Sequence, residues 1–207
     1  MSIDLVIDIE TYPNLELVDL LPPVQADSRL KDVEKIKADI YKKQAEQVQK
    51  MALNPLYGKI ACIGYRSDLD EEVHIADETD MLDNLLTKIS GKHVITYNGR
   101  GFDFDFIAKR CAILGLKPLS YFDNYRGKYN TGMHTDIMLL WCGYGKYEKL
   151  ETLSKVILGA DYVKDDFDVE KISEYLKSDT GCELLRRYCL RDCELTWLIG
   201  KRLLYGN

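Results

Sequence analysis

The sequence predicts a three-layer α/β fold with a mixed sheet of about five strands, one of them antiparallel, and helices on both faces. Its periodic segments follow the order strand, hairpin, helix, strand, helix, strand and then helices. The 207 residues suffice for one domain with a substantial core, and no repeat, low-complexity segment or linker divides them. We therefore predict a single domain over residues 1–207.

The first strand and a long helix account for the first quarter of the chain. IDLVIDIE is rich in Ile, Val and Leu, as a strand buried on both faces would be, and TYPN ends it. Residues 28–52 contain neither Gly nor Pro, carry many charges and place apolar residues at roughly helical spacing. We predict a helical insertion here. It is either a solvated helix packed by one thin face, which charge runs favour, or an arm that touches substrate or another subunit.

The remaining segments complete the sheet and its covering helices. KIACIGYRS and EEVHIAD predict an antiparallel hairpin around DLD. DMLDNLLTKI predicts a helix, and KHVITYNG predicts a strand that Asn98 and Gly99 end. FDFDFIAKRCAILG predicts a helix that stops at Gly115. A short strand running into a helix in HTDIMLLWC, and helices in YEKLETLSKVILG, DVEKISEYLKSDTG and CELLRRYCLRDCELTWLIGKRLL, close the chain.

Charge and composition narrow the function classes. A net charge of −6 argues against a protein held on nucleic acid mainly by a basic face, but it permits an enzyme that handles nucleic acid through bound cations. The apolar runs are too short to span a bilayer, and MSIDLV lacks the basic region of a signal peptide, so we expect a cytoplasmic protein. The six scattered cysteines are expected to be reduced thiols, mostly buried.

Two carboxylates interrupt the first strand. Asp8 and Glu10 are two residues apart, so they project from the same side of a strand. Their mutual repulsion and burial would be relieved by a divalent cation, and carboxylate ligands suit Mg²⁺ or Mn²⁺. The alternative is that one pairs with a basic residue and the other faces solvent at the strand end, because D-x-E alone is weakly specific.

Two further stretches carry candidate ligands. Asp103 lies near a helix start beyond the strand that ends at Asn98, so it is either a site carboxylate or a helix N-terminal residue, and Asp105 competes for the same role. Tyr188 and Asp192 are four residues apart and share one face of the last helix. The alternative there is a surface tyrosine and an Asp paired with a neighbouring arginine.

D-x-E on the first strand, N-x-x-x-F-D after a later strand and Y-x-x-x-D on the last helix together resemble the motifs of the DEDD superfamily of 3′–5′ exonucleases, in its tyrosine subgroup. Within it, the chain is similar to the exonuclease domain of family B DNA polymerases and stand-alone relatives. The resemblance covers nearly the whole chain and implies a ribonuclease-H-like fold. The helix over 28–52 is longer than the usual segment there.

The resemblance also implies the site. Four carboxylates would bind two Mg²⁺ or Mn²⁺ ions in a two-metal mechanism, and Tyr188 would orient the attacking water, since a phenol is a weak base at neutral pH. No histidine lies in the last helix, which assigns the tyrosine subgroup. The residues implied to be catalytic are Asp8, Glu10, Asp103, Tyr188 and Asp192, and all of them except Tyr188 would be metal ligands.

Several neighbours of these motifs have weaker roles. Thr11 is expected to contact the 3′-terminal nucleotide, and Asn98 and Phe102 to shape the entrance to the site, although Phe102 could equally be core. Asp136 is expected to cap a helix rather than bind metal. Tyr147, between Lys146 and Lys149 in YGKYEK, suits either single-stranded nucleic acid or a solvated surface.

We therefore expect an enzyme that hydrolyses single-stranded 3′ ends to nucleoside monophosphates, with DNA favoured over RNA. The alternatives are an exoribonuclease of the same chemistry and a catalytically silent nucleic-acid-binding module. Since 207 residues leave no room for a polymerase domain, any proofreading is expected to involve a separate polymerase or a replication or repair complex.

Overall fold

The sheet at the centre of the protein has five strands in the order β3-β2-β1-β4-β5. The structure is a computed structural model that describes residues 4–127, 132–159 and 167–206. Strands β1, β4 and β5 are parallel, and β2 runs antiparallel to both of its neighbours, β1 and β3. The strands are β1 (Leu5–Pro13), β2 (Gly58–Arg66), β3 (Glu71–His74), β4 (Val94–Thr96) and β5 (His134–Asp136). The predicted mixed sheet with one antiparallel strand is confirmed.

Helices cover both faces of the sheet, and each face has its own core. One core packs α2 and α3 against the sheet. The opposite face has two clusters, one beneath α5, α6 and α8 and one where α7 and α8 meet β2. Both faces are needed because β1 carries apolar side chains on each side, as its nearly unbroken apolar sequence predicts. The helices are α1 (Val33–Lys50), α2 (Glu78–Ile89), α3 (Asp103–Ile113), α4 (Asp123–Arg126), α5 (Ile137–Cys142), α6 (Leu150–Leu158), α7 (Ile172–Tyr175) and α8 (Asp179–Tyr205).

The inserted helix is shorter than its charge pattern predicts. It spans Val33–Lys50 rather than residues 28–52, because the Asp32 side chain accepts a hydrogen bond from Lys35 N at 3.0 Å and so caps the first turn. Residues Met51–Leu53 tighten into a 3₁₀ turn beyond its C-terminal end. No residue of α1 itself is buried, which fits a solvated helix held by one thin face.

The segment before the last helix also differs from prediction. DVEKISEYLKSDTG does not form one helix: a 3₁₀ turn at Val169–Lys171 leads into α7, and α8 begins anew at Asp179. The break is at Ser178, whose hydroxyl accepts a hydrogen bond from Gly181 N at 3.1 Å and caps α8. This cap separates α7 from the 27-residue helix that carries Tyr188 and Asp192.

Within the described residues, no helix combines the length and the apolar character needed to cross a membrane. The cysteines are free thiols, and most of them are buried, as expected for reduced residues in core positions.

Candidate active site

Side chains of β1 alternate between the two faces of the sheet. Ile7 and Ile9 pack in the core beneath α2 and α3, whereas Val6 packs in the core against α8. Asp8 and Glu10 follow Val6 by two and four residues, so their side chains point to the same face as Val6, the face that α8 covers. The strand therefore presents two acids together, as the two-residue spacing predicts.

The third carboxylate of the cluster comes from α8. One ligand oxygen from each of Asp8, Glu10 and Asp192 lies within 4.8 Å of the other two. Burial raises the pKa of Asp192 to about 7. Burial also raises the pKa of Asp8 and the pKa of Glu10 well above the usual range, and the neighbouring acids raise both further. These three groups therefore repel one another when ionised, which a divalent cation between them would relieve.

Asp103 adjoins this cluster from α3. It is the first residue of that helix and is buried, and its Oδ1 accepts a hydrogen bond from Ile9 N at 3.2 Å. Burial raises the pKa of Asp103 to about 7, although hydrogen bonds from backbone N–H groups oppose this. Its charge in turn raises the pKa of Asp8 and of Glu10. Asp103 thus binds the backbone between the two β1 acids and acts on both of them electrostatically.

The competing carboxylate, Asp105, lies in a different environment. It forms ion pairs with Lys109 and with Arg126, each at 2.6 Å. Burial opposes its ionisation, but the two cations lower the pKa of Asp105 overall. Asp105 is therefore a paired surface acid, and the structure distinguishes it from Asp103, which the sequence does not.

Tyr188 lies one helical turn before Asp192 on α8 and is half-buried. Its ring stacks on Phe167 with centroids 4.1 Å apart and planes 10° apart. Phe167 also packs against Tyr175 at 5.1 Å. The motifs do not include Phe167, whose only signal in the sequence is an aromatic residue within the acidic stretch DDFD. Through this stack, Phe167 covers one face of the Tyr188 ring.

Cys189 is a second residue that lies at the site but outside the sequence motifs. Its Sγ lies 3.6 Å from Asp8 Oδ2, so the thiol contacts a carboxylate of the cluster. Gly64 pairs with Asp8 across β1 and β2, and a Cβ at position 64 would lie 2.6 Å from the Cys189 sulfur and 2.7 Å from that of Cys193. Helix α8 can approach the sheet this closely because position 64 has no side chain.

A turn at the carboxyl end of β4 carries Asn98 and leads to Asp103. Asn98 has a φ of 63°, which Asn tolerates better than most residues. Asp136 Oδ1 accepts hydrogen bonds from Asn98 N at 3.0 Å and from Leu139 N at 3.1 Å, and its Oδ2 accepts one from Arg100 N at 3.0 Å. Asp136 therefore caps α5, as predicted, and also fixes the turn before Asp103.

A groove of about 640 Å³ opens beside Glu10. Its floor is the end of β1, one wall is the last turn of α1 with Val48, and the opposite wall is the segment 169–174. Gln49 Nε2 donates a hydrogen bond to Glu170 Oε2 at 2.7 Å and joins the two walls. The inserted helix therefore forms part of the site's surroundings rather than packing elsewhere on the molecule.

Two of the three predicted substrate-binding residues line this groove. Thr11 and Phe102 do so, whereas Asn98 is not among its lining residues in the described part of the chain. The Thr11 hydroxyl donates to Ala52 O at 2.7 Å, which ties the groove floor to the end of the inserted segment. Phe102 also packs on Phe106, with ring centroids 5.6 Å apart, so it contacts both the core and the groove.

Comparisons with known proteins agree with this architecture. The sequence model of the family described as "DNA polymerase family B, exonuclease domain" matches residues 25–140, more than half of the chain. A DNA polymerase of Desulfurococcus sp. (strain Tok) is 26% identical over 151 residues, which are 65% of this chain and 19% of the relative. A DNA polymerase of Pyrococcus horikoshii is 26% identical over 144 residues, 61% of this chain and 11% of the relative. The chain thus spans a fifth or less of these relatives.

A solved structure shares the fold over almost the whole chain. The family B DNA polymerase from the hyperthermophilic archaeon Pyrobaculum calidifontis superposes with a TM-score of 0.61 and 18% identity, over 97% of this chain and 24% of that one. The mixed five-stranded sheet is consistent with the ribonuclease-H-like fold of a polymerase exonuclease domain. With the family match and the order of the three acidic motifs, this chain belongs to the family of DEDD-type 3′–5′ exonuclease domains found in family B DNA polymerases.

Proposed function

We propose that this chain is a metal-dependent 3′–5′ exonuclease that releases nucleoside monophosphates from single-stranded DNA ends. The observation that carries the proposal is the convergence of Asp8, Glu10 and Asp192 within 4.8 Å, although the first two lie on β1 and the third on the last helix. Asp103 adjoins them through its hydrogen bond to Ile9 N. Membership of an exonuclease-domain family supports the same chemistry.

The donor set fits Mg²⁺ or Mn²⁺. It consists of carboxylate oxygens, which both ions prefer, and the pKa of every one of these acids is raised. Asp8, Glu10, Asp103 and Asp192 would hold two ions. When bound, such a pair would supply a more acidic water and stabilise the leaving 3′ oxygen.

The other residues would position the water and the substrate. Tyr188 would orient the attacking water through its hydroxyl, because a phenol is too weak a base at neutral pH to remove the proton efficiently. The stack on Phe167 supports this role, since it covers one face of the Tyr188 ring. Thr11 and Phe102 would hold the 3′-terminal nucleotide in the groove beside Glu10. Asn98 would support the entrance through the turn that leads to Asp103.

The groove also supports a single-stranded end as substrate. It opens beside Glu10, between the end of α1 and the segment 169–174, so a strand end lying in it would reach the carboxylate cluster. The curated relatives are DNA polymerases, which favours DNA and makes a separate polymerase a candidate partner for proofreading.

An oligonucleotide assay tests the proposal. A 5′-labelled single-stranded DNA and its RNA counterpart are incubated with Mg²⁺, Mn²⁺ or EDTA, and products are resolved by length. We expect DNA to shorten from its 3′ end only with metal. Asp8→Asn and Asp103→Asn should each lower the rate by ~10²-fold or more, the effect of losing several kcal/mol of charge stabilisation.

Asp105→Asn is the matched control, since Asp105 lies two residues from Asp103 but pairs with Lys109 and Arg126. It should retain the wild-type rate within a few-fold. Full activity in Asp8→Asn, or internal cleavage of circular DNA, would contradict the proposed site. Faster hydrolysis of RNA would make the chain an exoribonuclease of the same mechanism.

A further inference from the structure

The end of α5 and the loop that leads to α6 expose large apolar side chains. Leu140, Trp141, Tyr144 and Tyr147 each have more than half of their surface exposed. Single exposed apolar residues are ordinary, but four within eight positions form a patch of the kind that marks an interaction surface. We define residues 141–149 as the aromatic–lysine segment.

Two lysines are interleaved with these aromatic residues. Lys146 and Lys149 are exposed, and neither forms an ion pair with the residues that the structure describes. Of the nearby acids, Glu148 Oε1 accepts a hydrogen bond from Lys149 N at 2.9 Å and Glu151 pairs with Lys155 at 3.1 Å, so within the described residues neither acid forms an ion pair with Lys146 or Lys149. The segment therefore offers positive charge to a partner, although the whole chain is acidic.

The aromatic–lysine segment is anchored to the edge of the sheet that carries the candidate active site. Tyr97, directly after β4, donates a hydrogen bond from its hydroxyl to Glu148 O at 2.7 Å. Tyr97 begins the turn that leads through Phe102, a groove residue, to Asp103. The segment and the groove are thus both attached to this turn.

We propose that the aromatic–lysine segment binds the single strand on the 5′ side of the scissile phosphate, by stacking bases on Trp141, Tyr144 and Tyr147 and pairing phosphates with Lys146 and Lys149. This rests on the proposed function: with the terminal nucleotide in the groove, the rest of the strand must leave the carboxylate cluster in another direction. Aromatic faces alternating with cations suit single strands without regard to sequence. A protein partner could pack on the apolar patch, but only a nucleic acid offers a phosphate in every nucleotide for the two lysines.

Binding of short and long oligothymidylates tests this inference. Fluorescence anisotropy in EDTA, where no hydrolysis is expected, compares labelled dT3 with dT12. The double variant Trp141→Ala/Tyr147→Ala should bind dT12 with a Kd roughly tenfold or more above that of wild type, because base stacking is lost. Its Kd for dT3 should equal that of wild type. The double variant Lys146→Ala/Lys149→Ala should lower the slope of log Kd against log salt by about 0.7 per lysine.

Tyr41→Ala is the matched control, because Tyr41 is 76% exposed, lies on α1 and does not line the groove. It should leave dT12 binding unchanged. Unchanged dT12 binding in the Trp141→Ala/Tyr147→Ala variant would overturn the inference and leave the patch to a protein partner. Hydrolysis of dT3 and dT12 with Mg²⁺ separates the two proposals. If the wild-type chain cleaves neither oligonucleotide, the proposed function itself is contradicted.

Discussion

Two aspartates in one helical turn have opposite electrostatic environments. Asp103 is buried beside other acids, and its pKa is raised to about 7. Asp105 pairs with two cations, and its pKa is lowered. The same side chain is therefore buried beside the carboxylate cluster at one position and held in a surface ion pair two residues later, so these two positions form an informative pair of substitutions.

Gly64 supports the cluster through its lack of a side chain. Gly64→Ala would place a Cβ within 2.7 Å of the sulfur atoms of Cys189 and Cys193, so these thiols or helix α8 must shift. We expect a loss of about 1–3 kcal/mol in the free energy of unfolding, typical of overpacking, measured by urea denaturation. Since Cys189 contacts Asp8, nuclease activity should fall as well.

Gly115→Ala separates these two effects. A Cβ there would meet nothing within 4 Å, but the φ of +72° disfavours any residue other than Gly, so stability should fall by about 1 kcal/mol. Activity below the unfolding temperature should remain at the wild-type level. Equal loss of activity in both variants would show that Gly64 acts through general stability alone.

At the scale of elements, short loops and caps align the parts of the site. Strand β4 ends in a turn, β5 runs directly into α5, and the side chain of Asp136 joins the two. Helix α8 has its own cap at Ser178 and spans the sheet face that bears Asp8 and Glu10. Each of these elements supplies one or two residues to the site. The boundaries of the elements therefore set where these residues lie.

Asp136→Ala should be more damaging than the loss of an ordinary helix cap. The buried Asp136 carboxylate accepts three hydrogen bonds from backbone N–H groups, two of them in the turn before Asp103. We expect a loss of about 2–4 kcal/mol, from the cap and the unpaired donors together, and a lower rate of hydrolysis. Thermal denaturation and the oligonucleotide assay measure both.

Asp77→Ala is the comparison for an isolated cap. Asp77 is exposed, caps α2 and accepts a hydrogen bond from Thr79 N at 2.9 Å. Its loss should cost about 1 kcal/mol and leave activity unchanged. If Asp136→Ala costs no more than Asp77→Ala, the turn before Asp103 does not depend on Asp136.

On the scale of the whole molecule, apolar clusters on both faces stabilise a sheet whose carboxyl edge carries repelling acids. The cores on the two faces provide the stability that permits this arrangement. Four acidic groups with raised pKa values oppose that stability wherever they ionise. In the metal-free protein, repulsion among these ionised acids should therefore lower the free energy of unfolding.

The pH dependence of stability follows from these shifts. An acid whose pKa is higher in the folded than in the unfolded state adds stability below its unfolded pKa, near 4, and that stability is lost as the pH rises through the folded value. For Asp103 and Asp192 the loss should be complete above about pH 7. In EDTA, the melting temperature of wild type should fall between pH 5 and pH 8 by more than that of Asp192→Asn.

Millimolar Mg²⁺ or Mn²⁺ should raise the melting temperature at pH 8, because an ion that binds only the folded state stabilises it by mass action. The increase should shrink toward pH 5, where protons compete for the same oxygens. Asp192→Asn should show a smaller increase, whereas Asp105→Asn should match wild type. A melting temperature that is insensitive to both metal and pH in wild type would argue against a metal site.

The sequence by itself determined the order of the elements, the mixed sheet and the shared face of Asp8 and Glu10. These depend on local periodicity and on neighbours two to four residues apart, which a sequence displays directly. The start of α1 at Val33 and the break at Ser178 were missed because capping residues outweigh average composition there.

Only the tertiary structure decided which acids meet. It separated Asp103 from Asp105, placed Phe167 on Tyr188 and set the Cys189 thiol against Asp8. It also made the end of the inserted helix a wall of the groove. Each of these contacts joins residues far apart in the chain, or depends on a missing side chain such as that of Gly64, so no local pattern could specify it.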